Sequence, residues 1–467
     1  MEFQPVVMAA GRGSRMLDLT ASNAKPLLPI GNKPMLWYPL HLLEKAGFES
    51  AIVVVLESTR GDLMQAINSA GNLNISLDYV NIPDEEDWGT ADSLRHIAHK
   101  IKTDVLVVSC DLITDVELHA LADVHRVNNS TITALMLSPS DLNPENQTAP
   151  GPKTKRKQEQ KDIVGLDEKG NRLVMLTAEA DVEDFLSVKT SLLKRFPYFE
   201  IKTNLMDAHL YILKKWVVDF LVDTKAGKSL ATVKGEVLPY FVKKQFRRNK
   251  SLAKTMTDDD IDTEKQKPQD IYSFTKVDEL RKVIKRMSSW RVPSHWTDDE
   301  EREEDQICCH AYIWEGGFCI RANTISAYCE ANRQIAARNE EPLASSVPIG
   351  NKSQATIKKA VYTGSKVGQD SMVGDGSSIG DKVSIKKSII GQHCVIRDRV
   401  KITNSVIMDH VTIKEGSVIH GSVICGNAHI NDGVELKDCL VGYSQSVAEK
   451  SKLSNEVVGD SERMMEI

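Results

Sequence analysis

VGDGSSIGDKVSIKKSIIGQHCVIRDRVKITNSVIMDHVTIKEGSVIHGSVICGNAHINDGVELKDCLV, residues Val373–Val441, decides the fold of the C-terminal part of this chain. Strides of six, six and five from Val373 land on Ile379, Ile385, Ile390, Ile396, Ile402, Ile407, Ile413, Ile419, Ile424, Ile430, Leu436 and Val441. Every position is aliphatic, and most are β-branched, as inward-facing sites on a pleated surface favour. The long period of 17 stacks Ile385, Ile402, Ile419 and Leu436 in one ladder, about 4.8 Å apart if each coil pairs with the next. An amphipathic helix would show a period of about 3.6. The stretch therefore predicts a parallel β-helix, whose stacked coils bury a continuous core that no single coil could form. Gly368, Gly374, Gly380, Gly391 and Gly442 each follow an aliphatic residue. Gly376, Gly416 and Gly433 are expected at turns of positive φ.

The chain as a whole is of ordinary composition: of 467 residues, 41% are hydrophobic, 27% charged and 6% aromatic. This length implies two or three domains with substantial cores. A formal charge of −6 gives no overall basic field for nucleic acid. The start, Met1-Glu2-Phe3-Gln4-Pro5, has neither the basic region nor the apolar core of a signal peptide. No apolar run is long enough to span a membrane. Eight cysteines without metal-type spacing are expected to be buried reduced thiols, which points to the cytosol.

Toward the N-terminus, strand and helix patterns alternate. Val6-Val7-Met8 is a short buried strand, Pro34 to Lys45 a helix closed by Gly47, and Ala51 to Leu56 and Val105 to Val108 continuous apolar runs of the kind parallel strands need. This predicts an α/β domain with a doubly wound mixed sheet. The expected division is residues 1–335, a β-helix over 345–445 and a tail over 446–467. Insertions are expected near 139–162, 251–270 and 297–306. The first carries Lys153, Lys155, Arg156 and Lys157, a nucleic-acid patch or a solvated loop, the latter favoured because no aromatics interleave. The other two carry acidic runs (Asp258 to Asp260; Asp298 to Asp305), read as surface insertions or as faces for a basic partner.

After the first strand come Ala10-Gly11-Arg12-Gly13-Ser14-Arg15 and then Lys25-Pro26-Leu27-Leu28-Pro29. Glycines there admit a phosphate to backbone N–H groups, while Arg15 and Lys25 can neutralise it. Gly13 and its neighbours alone would not exceed an ordinary strand-to-helix turn. Combined with Lys25-Pro26-Leu27-Leu28-Pro29, they resemble the signature of sugar-nucleotide pyrophosphorylases, which join a nucleoside triphosphate to a sugar 1-phosphate. Gly89-Thr90-Ala91-Asp92-Ser93 is similar to that family's base-contacting segment. Asp111, at the end of the strand Val105 to Val108, matches its Mg²⁺-binding aspartate, or else caps a turn. The repeat likewise resembles hexapeptide-repeat proteins, whose parallel β-helix is left-handed.

Several positions depart from the pyrophosphorylase pattern. The register through Gly317-Phe318-Cys319-Ile320-Arg321 and Tyr328-Cys329-Glu330-Ala331-Asn332 puts Arg321 at the second metal-binding aspartate. Ala10 replaces a glycine, Asp18 a proline, and His209 the small glycine that admits the sugar, unless His209 is simply a core histidine. No Glu-Lys-Pro segment follows residue 162. An arginine cannot coordinate Mg²⁺. The expectation is a vestigial nucleotide site (Gly11, Gly13, Arg15, Lys25, Gly89, Asp111), with no catalytic residue, no cofactor and no metal.

A degraded transferase domain ahead of a β-helix is similar to the gamma-subunit family of eukaryotic translation initiation factor 2B. Met1-Glu2-Phe3-Gln4, Asn32-Lys33-Pro34, Trp37-Tyr38-Pro39-Leu40, Ser109 to Asp115, Asp270 to Phe274 and Met465-Glu466-Ile467 carry the likeness. The resemblance implies a non-catalytic subunit of the complex that replaces GDP with GTP on initiation factor 2 and is inhibited by the factor phosphorylated on its alpha subunit. It implies pairing with the epsilon subunit, in a two-fold decamer with the alpha, beta and delta subunits, and contact with initiation factor 2. It implies no membrane and no direct nucleic-acid contact. The tail is too short for a helical exchange domain, so exchange would come from the partner. Assembly would use the β-helix built around Ile385, Ile402, Ile419 and Leu436. The alternatives are an active sugar-nucleotide pyrophosphorylase and a pocket that binds a nucleotide as a regulator.

Overall fold

The computed structural model describes residues 2–138, 150–151, 162–245, 271–275, 307–338 and 366–459, apart from positions 72, 85, 169, 183–185, 187, 189 and 369. Both acidic runs and the cluster Lys153 to Lys157 lie outside them.

Seven strands form the main sheet: β1 (Phe3–Met8), β2 (Ser50–Leu56), β3 (Ser76–Ile82), β4 (Asp104–Ser109), β5 (Ile132–Leu137), β6 (Met206–Leu213) and β7 (Cys309–Trp314), in the order β7-β5-β6-β4-β1-β2-β3. The pairs β1–β2, β1–β4, β2–β3 and β5–β7 are parallel, while β6 runs antiparallel to both neighbours. The sheet is mixed, as expected. Val6, Val53 to Val55 and Val105 to Val108 are almost wholly inaccessible, which explains their uninterrupted apolar runs. A smaller antiparallel sheet, Asp162–Asp167 with Leu173–Ala178 and Phe199–Lys202, lies beside it. The helix expected from Pro34 begins three residues later, at Trp37. Lys33–Pro34 instead pairs back on Pro29–Ile30 in a short hairpin. Gly47, with φ +87°, ends the helix as anticipated.

The β-helix is a three-sided prism: its strands fall into three parallel sheets, each joining residues one coil apart. Ile385 pairs with Ile402, Ile402 with Ile419 and Ile419 with Leu436, and all four side chains are at most 2% exposed. Each edge of the prism carries a ladder of left-handed residues at 17-residue spacing. They are Gly376, His393, His410, Asn427 and Ser444; Lys382, Arg399, Gly416, Gly433 and Lys450; and Lys387, Asn404, Gly421, Asp438 and Asn455, with φ between 48° and 74°. One such residue per corner turns the chain, and from His393 onward its N–H bonds the preceding coil, as in Arg399 N to Asp381 O at 2.9 Å. Residues 446–458, expected as a tail, instead continue the prism in the strands Ser446–Val447, Lys452–Ser454 and Val457–Val458. Val447, Leu453 and Val458 keep the same stride, so they too face inward.

One prism face is apolar on both sides. Met372, Ile389, Val406, Val423 and Leu440 each precede an inward residue and point outward, yet none is more than 6% exposed. They pack in one core with Leu28, Trp37, Tyr328 and Ile335 of the first domain. Burying five such side chains contributes on the order of 10 kcal/mol before ordering costs. Asn32 Nδ2 donates to Ile390 O across the junction at 3.1 Å. The facing loop is held by Gly31 N donating to Asn332 Oδ1 at 3.1 Å, and by Tyr328 Oη donating to Pro29 O at 2.6 Å. Among the described residues no helix is long and apolar enough to cross a membrane. No disulfide joins any of the eight cysteines.

Candidate functional site

Asp111 stands directly after β4, where an α/β sheet presents its ligands, and is 1% exposed. Three groups converge on its carboxylate. Lys25 Nζ donates to Oδ2 at 2.5 Å, Ser109 Oγ donates to Oδ1 at 2.6 Å, and Arg321 Nε donates to Oδ1 at 3.3 Å. Arg321 is placed by its strand, Cys319–Arg321, which pairs antiparallel with Leu112–Thr114, the segment that follows Asp111. Ala322 N also donates to Asp111 O at 2.9 Å. Arg321, matched in sequence to the second metal position of the pyrophosphorylase pattern, is thus brought beside Asp111 by the fold. Burial alone would raise the Asp111 pKa. Lys25 and Arg321 more than offset it and hold the carboxyl well below the usual carboxylate range.

A divalent ion at this position would need free carboxylate oxygens. Both oxygens of Asp111 are engaged by cations or by Ser109, and the facing residue is a guanidinium, which has no lone pair to give. Among the described residues no cluster of three or more Asp, Glu, His or Cys side chains could hold a metal. The residues present do not fit Mg²⁺.

His209 lies beside this cluster. It keeps a glycine-like backbone, φ +54°, at the irregularity where β6 shifts register against β5 between Asp207 and Tyr211. Asp207 pins the kink, accepting from His209 N at 2.7 Å through Oδ1 and from Tyr211 Oη at 2.7 Å through Oδ2. Burial, then the Arg321 charge, pushes the His209 pKa well below its ordinary value, so the ring is neutral. Its Nε2 is buried and has no hydrogen-bond partner among the described residues. Ser109, Asp207 and Tyr211 were not legible in the sequence as part of this site. A carboxylate two residues before the substituted glycine was the available signal for Asp207.

The glycines serve different needs. Gly11 is exposed, and a Cβ there would touch nothing within 4 Å. Gly13, with φ +74°, has Thr20 Cγ2 only 2.9 Å from where a Cβ would lie. At Gly89 the carbonyl of Ala231 comes within 2.1 Å of that point, and Asp92 Oδ2 accepts from Gly89 N at 2.9 Å to cap the helix Thr90–Ile97. Two of the three glycines are thus required by the chain's own packing. Arg15 is exposed on the short helix Ser14–Met16 and makes no ion pair among the described residues. Ile385, Ile402, Ile419 and Leu436 lie inside the prism, so any partner must meet their outward neighbours instead.

The mixed sheet, the Gly-rich turn and Asp111 after β4 define a nucleotidyl transferase domain, and residues 4–298 match the nucleotidyl transferase family. Residues 351–453 match the family described as the EIF2B subunit epsilon LbH domain. The translation initiation factor eIF2B subunit gamma of Schizosaccharomyces pombe is 32% identical over 391 residues, covering 82% of this chain and 74% of that protein. Its counterpart in Dictyostelium discoideum is 30% identical over 410 residues, covering 84% and 88%. The chain belongs to the family of eIF2B gamma subunits. A mannose-1-phosphate guanylyltransferase of Mycobacterium tuberculosis is 29% identical over 147 residues, 30% of this chain and 38% of that protein.

Proposed function

We propose that this chain is a non-catalytic subunit of the translation initiation factor 2B complex, the guanine nucleotide exchange factor that restores GTP on initiation factor 2 and is inhibited by the factor phosphorylated on its alpha subunit. The observation that carries this reading is coverage. Likeness to named gamma subunits runs through both domains, over 82% and 84% of the chain, whereas likeness to the guanylyltransferase covers 30%. In this reading the chain works in the cytosol, pairs with an epsilon subunit, and joins alpha, beta and delta subunits in a two-fold decamer. It binds no membrane, and no nucleic acid directly. The site supports a non-catalytic role: a pyrophosphorylase needs carboxylates to hold Mg²⁺ against phosphate oxygens, and here Arg321 faces Asp111.

Purification of the tagged chain from its own cells, with native mass measurement and identification of its companions, tests the proposal. Recovery with epsilon-type and other factor subunits is expected; recovery as a lone protein would overturn it. An active pyrophosphorylase is the competing reading, motivated by Gly11, Gly13, Arg15, Lys25 and Asp111. Pyrophosphate release from GTP or ATP with sugar phosphates and Mg²⁺ would establish it. Heat on titration with GTP, GDP or sugar nucleotides would establish the regulatory-pocket reading.

A further inference from the structure

Three separate segments converge on Asp111: the loop that carries Lys25, the end of β4 with Ser109, and the strand ending at Arg321. Lys25 and Arg321 are 11% and 15% exposed at the side chain, Asp111 1%. Taking two cations and a carboxylate out of water is costly, and the charge of buried Asp207 acts on Arg321 alongside that of Asp111. We infer that Arg321 is a resident cation: a positioning residue that takes a divalent ion's place beside Asp111 and makes the folded site independent of metal.

The chain beyond Arg321 gives the substitution a mechanical consequence. Thr324 Oγ1 accepts from Ala327 N at 3.2 Å and caps the helix Ile325–Ala337. Tyr328 and Ile335 of that helix share a core with the outward ladder Met372, Ile389, Val406, Val423 and Leu440. The charge that neutralises Asp111 therefore also fastens the strap on which the β-helix is seated. A bound metal ion could exchange with solvent; a side chain cannot leave, so the strap stays closed at any metal concentration. Arginine suits the post because its guanidinium stays charged when buried and reaches both carboxylate oxygens. Nε lies 3.3 Å from Oδ1 and Nη2 3.5 Å from Oδ2.

The inference rests on the non-catalytic reading, and Mn²⁺ is the probe that tests it. Binding to the full-length chain is read from the loss of the free-ion paramagnetic resonance signal, and thermal unfolding is followed with Mn²⁺ and with a chelator. The wild type should show no Mn²⁺ uptake that Asp111→Asn removes, and no response of Tm to chelation. Arg321→Asp creates a carboxylate pair. It should unfold at lower temperature in chelator, recover with Mn²⁺ by linkage, and bind Mn²⁺ at least about tenfold more tightly than the wild type. The recovery should vanish in the double variant with Asp111→Asn. Arg321→Lys, which keeps the charge, should stay indifferent to metal. Should Arg321→Asp not fold, Arg321→Gln removes the cation alone and should reveal Asp111-dependent uptake. Uptake by the wild type that depends on Asp111, or variants lacking the cation that ignore Mn²⁺ as the wild type does, would overturn the inference. Association with other subunits is measured separately by co-purification, so either result can fail while the other stands.

Discussion

Ile389 and Ile390 are neighbours in one strand, yet they belong to different cores: Ile389 packs with the transferase domain and Ile390 with the interior of the prism. Both are at most 3% exposed, so a carboxylate at either position costs several kcal/mol. The consequences should differ in kind. Ile389→Asp should separate the two domains while each stays folded, seen as a larger radius of gyration by solution scattering with unchanged circular dichroism. Ile390→Asp should unwind the prism and lose β signal. Equal loss of β signal in the two variants would mean that the prism cannot stand without its seat.

Lys25→Met leaves Asp111 short of its nearest partner. Breaking a buried pair costs about 3–5 kcal/mol, read as a lower urea midpoint. Lys452 and Glu435 make a comparable 3.0 Å contact, but their side chains are 71% and 52% exposed. Lys452→Met should cost no more than about 1 kcal/mol. Similar losses in both variants would place the Asp111 cluster in effective contact with solvent.

Stability should fall on mild acidification. His125 accepts or donates at 2.8 Å with Thr133 Oγ1, and His310 does so with Ser130 Oγ at 2.8 Å. Burial, the larger cause in each, and nearby positive charge lower their pKa values to about 3 and about 4. Unfolded histidine takes up its proton near pH 6.5, so below that the unfolded chain binds more protons and gains ground. The loss is at most about 1.4 kcal/mol per pH unit for each ring. It continues until His310, and then His125, titrates in the fold. Asp111, held low, adds a further loss below about pH 4, where the unfolded carboxylate protonates. His209, also buried and held neutral, acts the same way, so His125→Asn/His310→Asn should reduce but not abolish the fall of urea midpoints between about pH 6.5 and pH 4.5; an unchanged slope would exclude these two rings as a cause.

Glycines in the prism should divide by what surrounds them. A Cβ at Gly374 would meet the carbonyl carbon of Gly391 in the next coil at 2.5 Å, whereas one at Gly416 would meet nothing within 4 Å. Gly374→Ala should therefore loosen the stacked coils and lower Tm by several degrees. Gly416→Asn should be nearly neutral, since asparagine holds left-handed turns on the other two edges at Asn404, Asn427 and Asn455, and Arg399 and Lys450 do so on this one.

A second prism face is left uncovered by the described residues. Lys401 and His420 are exposed, and Val418 is 39% exposed, each next to Ile402 or Ile419. Lys401→Glu and Val418→Asp should weaken recovery of partner subunits with little change in Tm. Undiminished recovery would move the assembly surface elsewhere.

The prism was the most legible part of the molecule because each inward position admits only one kind of side chain. Its last coil stands where a tail is expected from the polar look that Lys450, Lys452 and Glu456 lend 446–458, although Val447, Leu453 and Val458 keep the stride. The seat on the first domain also has a signature in the sequence. Ile389-Ile390, Val406-Ile407, Val423-Ile424 and Leu440-Val441 are apolar pairs 17 residues apart, and a strand apolar on consecutive positions is covered on both faces. Arg321 could be placed at the second metal position because the pyrophosphorylase pattern fixes the register on both sides of it. The grip of Lys25 and Ser109 on Asp111, and that of Asp207 on His209, could not, because they join residues whose separation in sequence says nothing of their distance in space.

The constant coil makes the prism a ruler graduated in units of 17 residues. Excision of one whole coil would leave every surviving column facing as before and shorten the structure by about 4.8 Å. Removal of a number that is not a multiple of 17, with nothing to take up the difference, would turn interior residues outward. Val367 pairs with Ile385, eighteen residues on, so one surplus residue is accommodated between these two coils. Reach along the prism can thus change by whole steps without disturbing the seat on the transferase domain. A surface at the far end could be moved nearer or farther while every other contact of the chain is kept.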